Sequence, residues 1–294
     1  MKNRDIEAAN NNLQQMLPHA EKLPPLPETA QALILLRNAP NASLDQLVTL
    51  IEKDPGLSTF IMKYARMAIF GYGERITSVW HAISLALGFN NALNMAIGVA
   101  SAGCLKITNR GPLGRIRIWH HALKCAALCR ELCKTMGEKQ PVDSGLAYLC
   151  GLFHNFGYLL FGHLHPQQYA FLNDLCLRYP EREIRHLELH VFGITHDFAG
   201  AHLIEAWRLP GEIATAVAEH HFPDYEGEHA RYVRLVAIAN RLLQNEDKSD
   251  ACDYIETATM LESLQIPVQD AEAALQKIQS CLSEFDTLAT ELAA

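Results

Sequence analysis

Apolar residues recur three and four positions apart along nearly the whole chain, the period of a helix that buries one face. "PNASLDQLVTLIEKDP" opens with Ser43 and Gln46 spaced as a capping box and closes at Asp54-Pro55. Asp54 can itself cap the next helix, "PGLSTFIMKYARMAIFG", with Pro55 at its first position. "SVWHAISLALG" and "NALNMAIGVASAGCL" continue the pattern, punctuated by Gly88 and Asn90. Further helices are predicted around 116–135, 143–161, 166–178, 181–191, 195–206, 210–220 and 228–244. No stretch alternates every second residue with β-branched enrichment, so the predicted fold class is all-α without a sheet.

"TNRGPLGR" gathers Gly111, Pro112 and Gly114 between apolar helical patterns and is the predicted joint. It divides an N-terminal helical subdomain, 1–110, from a helical core, 111–245, with a helical extension over 246–294. In that extension Ala271, Leu275, Ile278, Leu282, Phe285, Ala289 and Leu292 are spaced by fours and threes. Such a seam belongs either to a helix laid on its own core or to a subunit or partner interface, including a homodimer through this helix.

Charge changes the picture at the C-terminus. The chain of 294 residues has formal charge −8, yet residues 245–294 hold eleven acidic and two basic residues, so the preceding part is near +1. Without a strong basic field, nucleic-acid binding is not expected, although "NRGPLGRIR" carries three arginines. No apolar run approaches the roughly 18 residues of a membrane span and no signal segment opens the chain, so a cytoplasmic location is the expectation and no membrane partner is. Eight cysteines are then read as reduced thiols. Cys125, Cys129 and Cys133 stand four apart on one helix stripe, which suits packing better than zinc.

Most of the fourteen histidines fall between 120 and 229. His120-His121, His154 beside Asn155, His196-Asp197 and His220-His221 each lie on or at the edge of a predicted helix, and a bundle could gather them around one cavity. A hydrolytic two-metal site needs carboxylates as well as imidazoles, because their charge offsets the cost of desolvating a divalent ion. An amide keeps the shape and loses that charge.

"LPPLPETAQALILL", "LIEKDPGLSTFIMKYARMAIFG", "AISLALGFNNALNMA", "GLFHNFGYLLFGHLHPQQY" and "GITHDFAGAHLIEAWRLPGEIATAVAEHHFP" together resemble an HDOD domain over roughly residues 20–225. HDOD domains are relatives of the HD and HD-GYP phosphohydrolases, so the resemblance implies an HD-like bundle for the core. It places the first metal set at His120 or His121, His154 with Asn155, and Asn240, both carboxylate positions thus being asparagine. His196 and the pair His220-His221 resemble the additional histidines of HD-GYP proteins. Tyr158 stands where those carry a lysine. The resemblance implies a neutral, histidine-rich remnant that requires no cofactor but could hold iron, zinc or nickel through imidazoles. Adjacent helical positions diverge by about 100°, so His220 and His221 are not expected on one ion.

His186 and His190 read as an exposed face, with Arg185 and Glu188 fitting the same face, although Glu188 sits where similar proteins carry a glutamate. His163 and His165 are expected to close a helix before Pro166, and Trp207 to wedge between helices. Where similar chains often read "ANSA", this one has Arg66 and Met67 in "ARMA", from which altered local contacts or partner recognition follow. The leading functional expectation is a non-catalytic signalling or regulatory module acting through protein partners. The alternative is a metal-dependent phosphohydrolase or phosphodiesterase, in which other carboxylates such as Asp197 compensate.

Overall fold

The computed structural model describes residues 23–137, 142–244 and 255–293, and among them every regular element is helical. The expected starts of the N-terminal subdomain and of the acidic extension lie outside the described residues. On the N-terminal side of the expected joint lie α1 (Glu28–Arg37), α2 (Leu44–Glu52), α3 (Pro55–Arg66), a short α4 (Val79–His81) running into a π-helical segment (Ala82–Leu87), and α5 (Phe89–Ala102). The local signals act as the sequence suggests. Ser43 and Gln46 form a reciprocal capping box, and the Asp54 carboxylate accepts from the Leu57 amide with Pro55 opening α3.

The core follows as α6 (Arg115–Cys133), α7 (Ser144–Phe153), α8 (Phe156–Leu164), α9 (Pro166–Arg178), α10 (Ile184–Phe192), α11 (His196–Ala206), α12 (Gly211–Glu219) and α13 (Ala230–Leu243). α6 is buried almost all round and packs most extensively on α7, while α13 and both final helices also lie against it. α8 lies against α11, and α11 against α12. Two glycines permit these approaches. A Cβ on Gly151 would stand 2.8 Å from the Ala126 backbone, and one on Gly157 would land on the His196 carbonyl.

Two expected continuous helices are broken. The segment expected over 143–161 stops at Phe153 and restarts at Phe156, because His154 and Asn155 form a turn in which Asn155 has ψ near 14°. The C-terminal seam is likewise divided into α15 (Val268–Gln279) and α16 (Leu282–Ala293) by a turn at Ser280-Cys281, after the short α14 (Thr257–Ser263). Ala271, Ile278, Phe285 and Ala289 of that seam are buried within the chain, where α15 and α16 pack on α6.

One continuous apolar cluster runs from α1 through the residues on both sides of the expected joint to the C-terminal helices. The joint is tied to α9: Asn173 accepts from the Leu113 amide, and the Tyr169 hydroxyl donates to the Leu113 carbonyl. Trp207 is a wedge with a polar end, 5% exposed and donating from Nε1 to the Pro24 carbonyl. α8 ends at Leu164 and Pro166 begins α9, so His165 sits at the expected break.

Candidate functional site: a buried histidine cluster

α6 sends two consecutive histidines in different directions. His121 is buried, with its ring centroid 5.2 Å from that of His154. His120 instead meets Asp286 of α16, Nε2 to Oδ1 at 3.0 Å. Of the two candidates on this helix, His121 therefore faces the cluster.

His154 occupies the C-terminal cap of α7, where its Nδ1 donates to the Gly151 carbonyl at 2.7 Å. That bond fixes the neutral tautomer and leaves a lone pair on Nε2. Burial lowers the His154 pKa; the nearby Cys125 thiol opposes that shift, and His121 and His220 reinforce it. The His154 and His220 ring centroids are 5.2 Å apart.

The second half of the cluster is built by two helix junctions. Gly193, at φ +71°, turns the chain between α10 and α11 and brings Glu188 back to His196. Glu188 accepts from the His196 backbone amide at 2.9 Å and from its Nδ1 at 2.9 Å, both side chains being fully buried. His220 donates from Nδ1 to the Val217 carbonyl at 2.8 Å. The His196 Nε2 lies 3.4 Å from His220 Nε2 and 3.2 Å from His221 Nε2. His220 and His221, in the turn that follows Glu219, nevertheless both reach His196 with their Nε2 atoms.

Two carboxyl groups enter this end, which corrects the expectation of a neutral remnant. Asp197 is 2% exposed and accepts from Arg185 at 3.0 Å through Oδ2, while Oδ1 is buried without a hydrogen-bond partner. Burial pushes the Asp197 pKa up, but His196, Arg185, His221 and His220 outweigh it and hold the group at about 2. Arg185 also lies over the Phe222 ring, its guanidinium carbon 4.9 Å from the centroid. Tyr158 stacks on His196 with centroids 4.1 Å apart and planes 17° apart.

The exposed-face reading holds for His186 and His190 and fails for Glu188, which is fully buried, and for Arg185, which is partly buried and paired. Arg185, Glu188 and Phe192 are spaced by three and four, one helix face, and that period was the available signal. Asn155 is 8% exposed, with a buried Oδ1 that has no hydrogen-bond partner. Asn240 is buried on α13, which packs on α6 and α7. His121, His154, His196, His220 and His221 are thus brought together, while His120 is turned toward the C-terminal helix.

A helical bundle with histidines converging from α6, α7, α11 and the end of α12 is a domain of HD type. The family model of the HDOD domain matches residues 23–223, and the chain belongs to that family. An uncharacterised protein of Treponema pallidum is 25% identical over 290 residues, covering 97% of this chain and 55% of its own length. A structure from Marinobacter aquaeolei VT8, described provisionally as a signal transduction protein, matches with TM-score 0.82 and 28% identity. That match covers 98% of this chain and 66% of the other, so this chain spans little more than half to two thirds of these two relatives. A structure from Shewanella amazonensis SB2B, described provisionally as a phosphohydrolase, matches with TM-score 0.73 and 18% identity, over 97% of this chain and 99% of its own. This last likeness is one of fold.

The chemistry of the donor set fits a metal ion. His154, His196 and His220 each donate from Nδ1, so each presents an Nε2 lone pair. One ring nitrogen from each of His196, His220 and His221 lies within 4.8 Å of the others, and Glu188, His196 and Asp197 satisfy the same spacing. Imidazole donors suit iron, zinc or nickel, and the Glu188–His196 bond is the kind of outer contact that orients a ligand ring.

Proposed function

We propose that this HDOD domain is a non-catalytic signalling or regulatory module that acts through protein partners. The observation that carries the reading is burial. His121, His154, His196, His220 and His221 are each at most 7% exposed, and Asn155 and Asn240 are buried with them. A phosphoester must bring its phosphorus against the activated nucleophile, and hydrolysis needs in-line room for the leaving group. Closed packing denies that approach. The positions that the resemblance sets against HD carboxylates, Asn155 and Asn240, are amides, which supply oxygen atoms without negative charge. The acids that are present have other work: Glu188 orients His196, and Asp197 pairs with Arg185.

A second reading, a metal-dependent phosphohydrolase, is favoured by the converging Nε2 atoms. His196, His220 and His221 would hold the ion, with His154 nearby, and the ion would supply Lewis acidity. In that reading Glu188 keeps the His196 ring oriented and Tyr158 restricts its movement by stacking. The deciding experiment supplies the purified chain with Fe²⁺, Zn²⁺ or Ni²⁺ under anaerobic conditions, then assays phosphomonoesters and cyclic dinucleotides. The proposal expects no hydrolysis that depends on His154. Metal-dependent turnover abolished by His154→Ala would replace it with the enzymatic reading.

A further inference from the structure

The two histidines that diverge on α6 join the buried cluster to something outside it. His121 faces His154, and His120 meets Asp286 on α16. α16 then continues to the first subdomain. Its Glu284 accepts from the backbone amide of Ala68 at 3.0 Å, and its Glu291 pairs with Lys63 of α3. The apolar face of the same helix, Phe285, Leu288 and Ala289, is buried against the body. One twelve-residue helix therefore touches the helix that bears the site and the end of α3 at once.

The point of attachment is the "ARMA" segment that departs from the usual "ANSA". Arg66 donates from Nε to the Ile76 carbonyl, Met67 is buried, and Ala68 gives its amide to Glu284. Phe70, two residues on, lies under Arg130 of α6, whose guanidinium carbon is 4.8 Å from the ring centroid. Glu131, next on α6, binds Arg130, Lys134 and Lys277 of α15. The Lys63–Phe70 segment is thus held from α16 and α6 together.

We propose that α16 is a mechanical link that transmits the packing of the histidine cluster to the α3 end of the first subdomain, through His120–Asp286 at one end and Glu284–Ala68 with Glu291–Lys63 at the other. The inference rests on the regulatory reading and gives it a route: a change around His121 rotates or shifts α6, His120 moves with it, and α16 loosens its hold on Ala68. Coupling of this kind requires an element in contact with both regions, and it is measurable as non-additivity.

The Ala68 amide is the reporter, because a residue of α16 accepts its hydrogen bond and the residue itself is exposed. Hydrogen exchange is measured on the full chain for wild type, Glu284→Ala, His121→Ala, Asp286→Ala and the His121→Ala/Asp286→Ala pair. Glu284→Ala is expected to speed Ala68 exchange about tenfold by removing its acceptor. His121→Ala is expected to speed exchange over Met67–Phe70 at least about threefold in wild type and to add nothing once Asp286 is Ala. The Phe171–Leu177 stretch of α9 should stay unchanged in every variant. Additive effects, an unresponsive Met67–Phe70 segment, or an equal rise in α9 would overturn the link. Should His121→Ala fail to fold, His121→Gln keeps the helix and serves in the same cycle under the same criteria. Phosphoester turnover would refute the regulatory reading without altering this exchange pattern, so the two failures are distinguishable.

Discussion

The two ends of the histidine cluster solve the problem of burying polar groups differently. At the His154 end the chain carries amides: Asn155 Oδ1 is buried without a hydrogen-bond partner, and His154 lies beside the Cys125 thiol with no carboxylate partner among the described residues. At the His196 end it carries acids: Glu188 binds His196 twice, and Asp197 is held by Arg185. A buried charge persists only when paired, whereas a lone amide oxygen costs less to leave unsatisfied. In this chain the buried carboxylates are those that a structural partner holds.

The largest effect should come from breaking the paired end. Glu188→Ala leaves the His196 Nδ1 and backbone amide without their acceptor in a fully buried place, and is expected to cost about 3–5 kcal/mol, read as a lower urea midpoint. Equal tolerance of Glu188→Ala and Asn155→Ala would erase the difference between the ends.

Restoring charge sharpens the comparison from the other side. The Asn155→Asp/Asn240→Asp variant is expected to bind Zn²⁺ about tenfold or more tightly than wild type by calorimetry, and to be less stable without metal, since its new carboxylates are buried. Unchanged affinity would show that amides are not what limits metal binding.

Acid should affect the ends unequally. Asp197 and Glu131 are both held at about 2; in Glu131 burial acts upward but is outweighed by hydrogen bonds from Lys134 and Lys277 and by Arg130. Because these folded values are depressed, their stabilisation is present above the unfolded carboxylate values. It is lost as pH falls from about 4.5 through about 2. The urea midpoint should fall as pH is lowered through that window, and Asp197→Asn should flatten that fall; a midpoint that stays constant through it would contradict the assignment of charge.

Much of the fold was legible because caps, prolines and the helical period are local signals. Ser43, Asp54 and Pro166 each mark an observed helix boundary. The site was legible as a set of histidines, but its register was not. His120 and His121 differ only in which neighbour each helix face meets, and that is decided by α16 and α7, far away in sequence. The meeting of His220 and His221 depends on His196, a residue from another helix that lies within 3.4 Å of both rings' Nε2 atoms. Glu188 was masked by its company, since His186 and His190 on either side are exposed; the Arg185, Glu188, Phe192 period marks the inward face, and the turn at Gly193 carries it to His196.

The claim that closed packing keeps the cluster out of reach is tested most directly by diethyl pyrocarbonate labelling of the native chain, followed residue by residue with mass spectrometry. Exposed His186 and His190 should be carbethoxylated at least about 100-fold faster than His121, His154, His196, His220 and His221, which react only when the fold opens. Labelling of the cluster at rates matching His186 would mean the centre is open to small molecules in solution, contradicting the account.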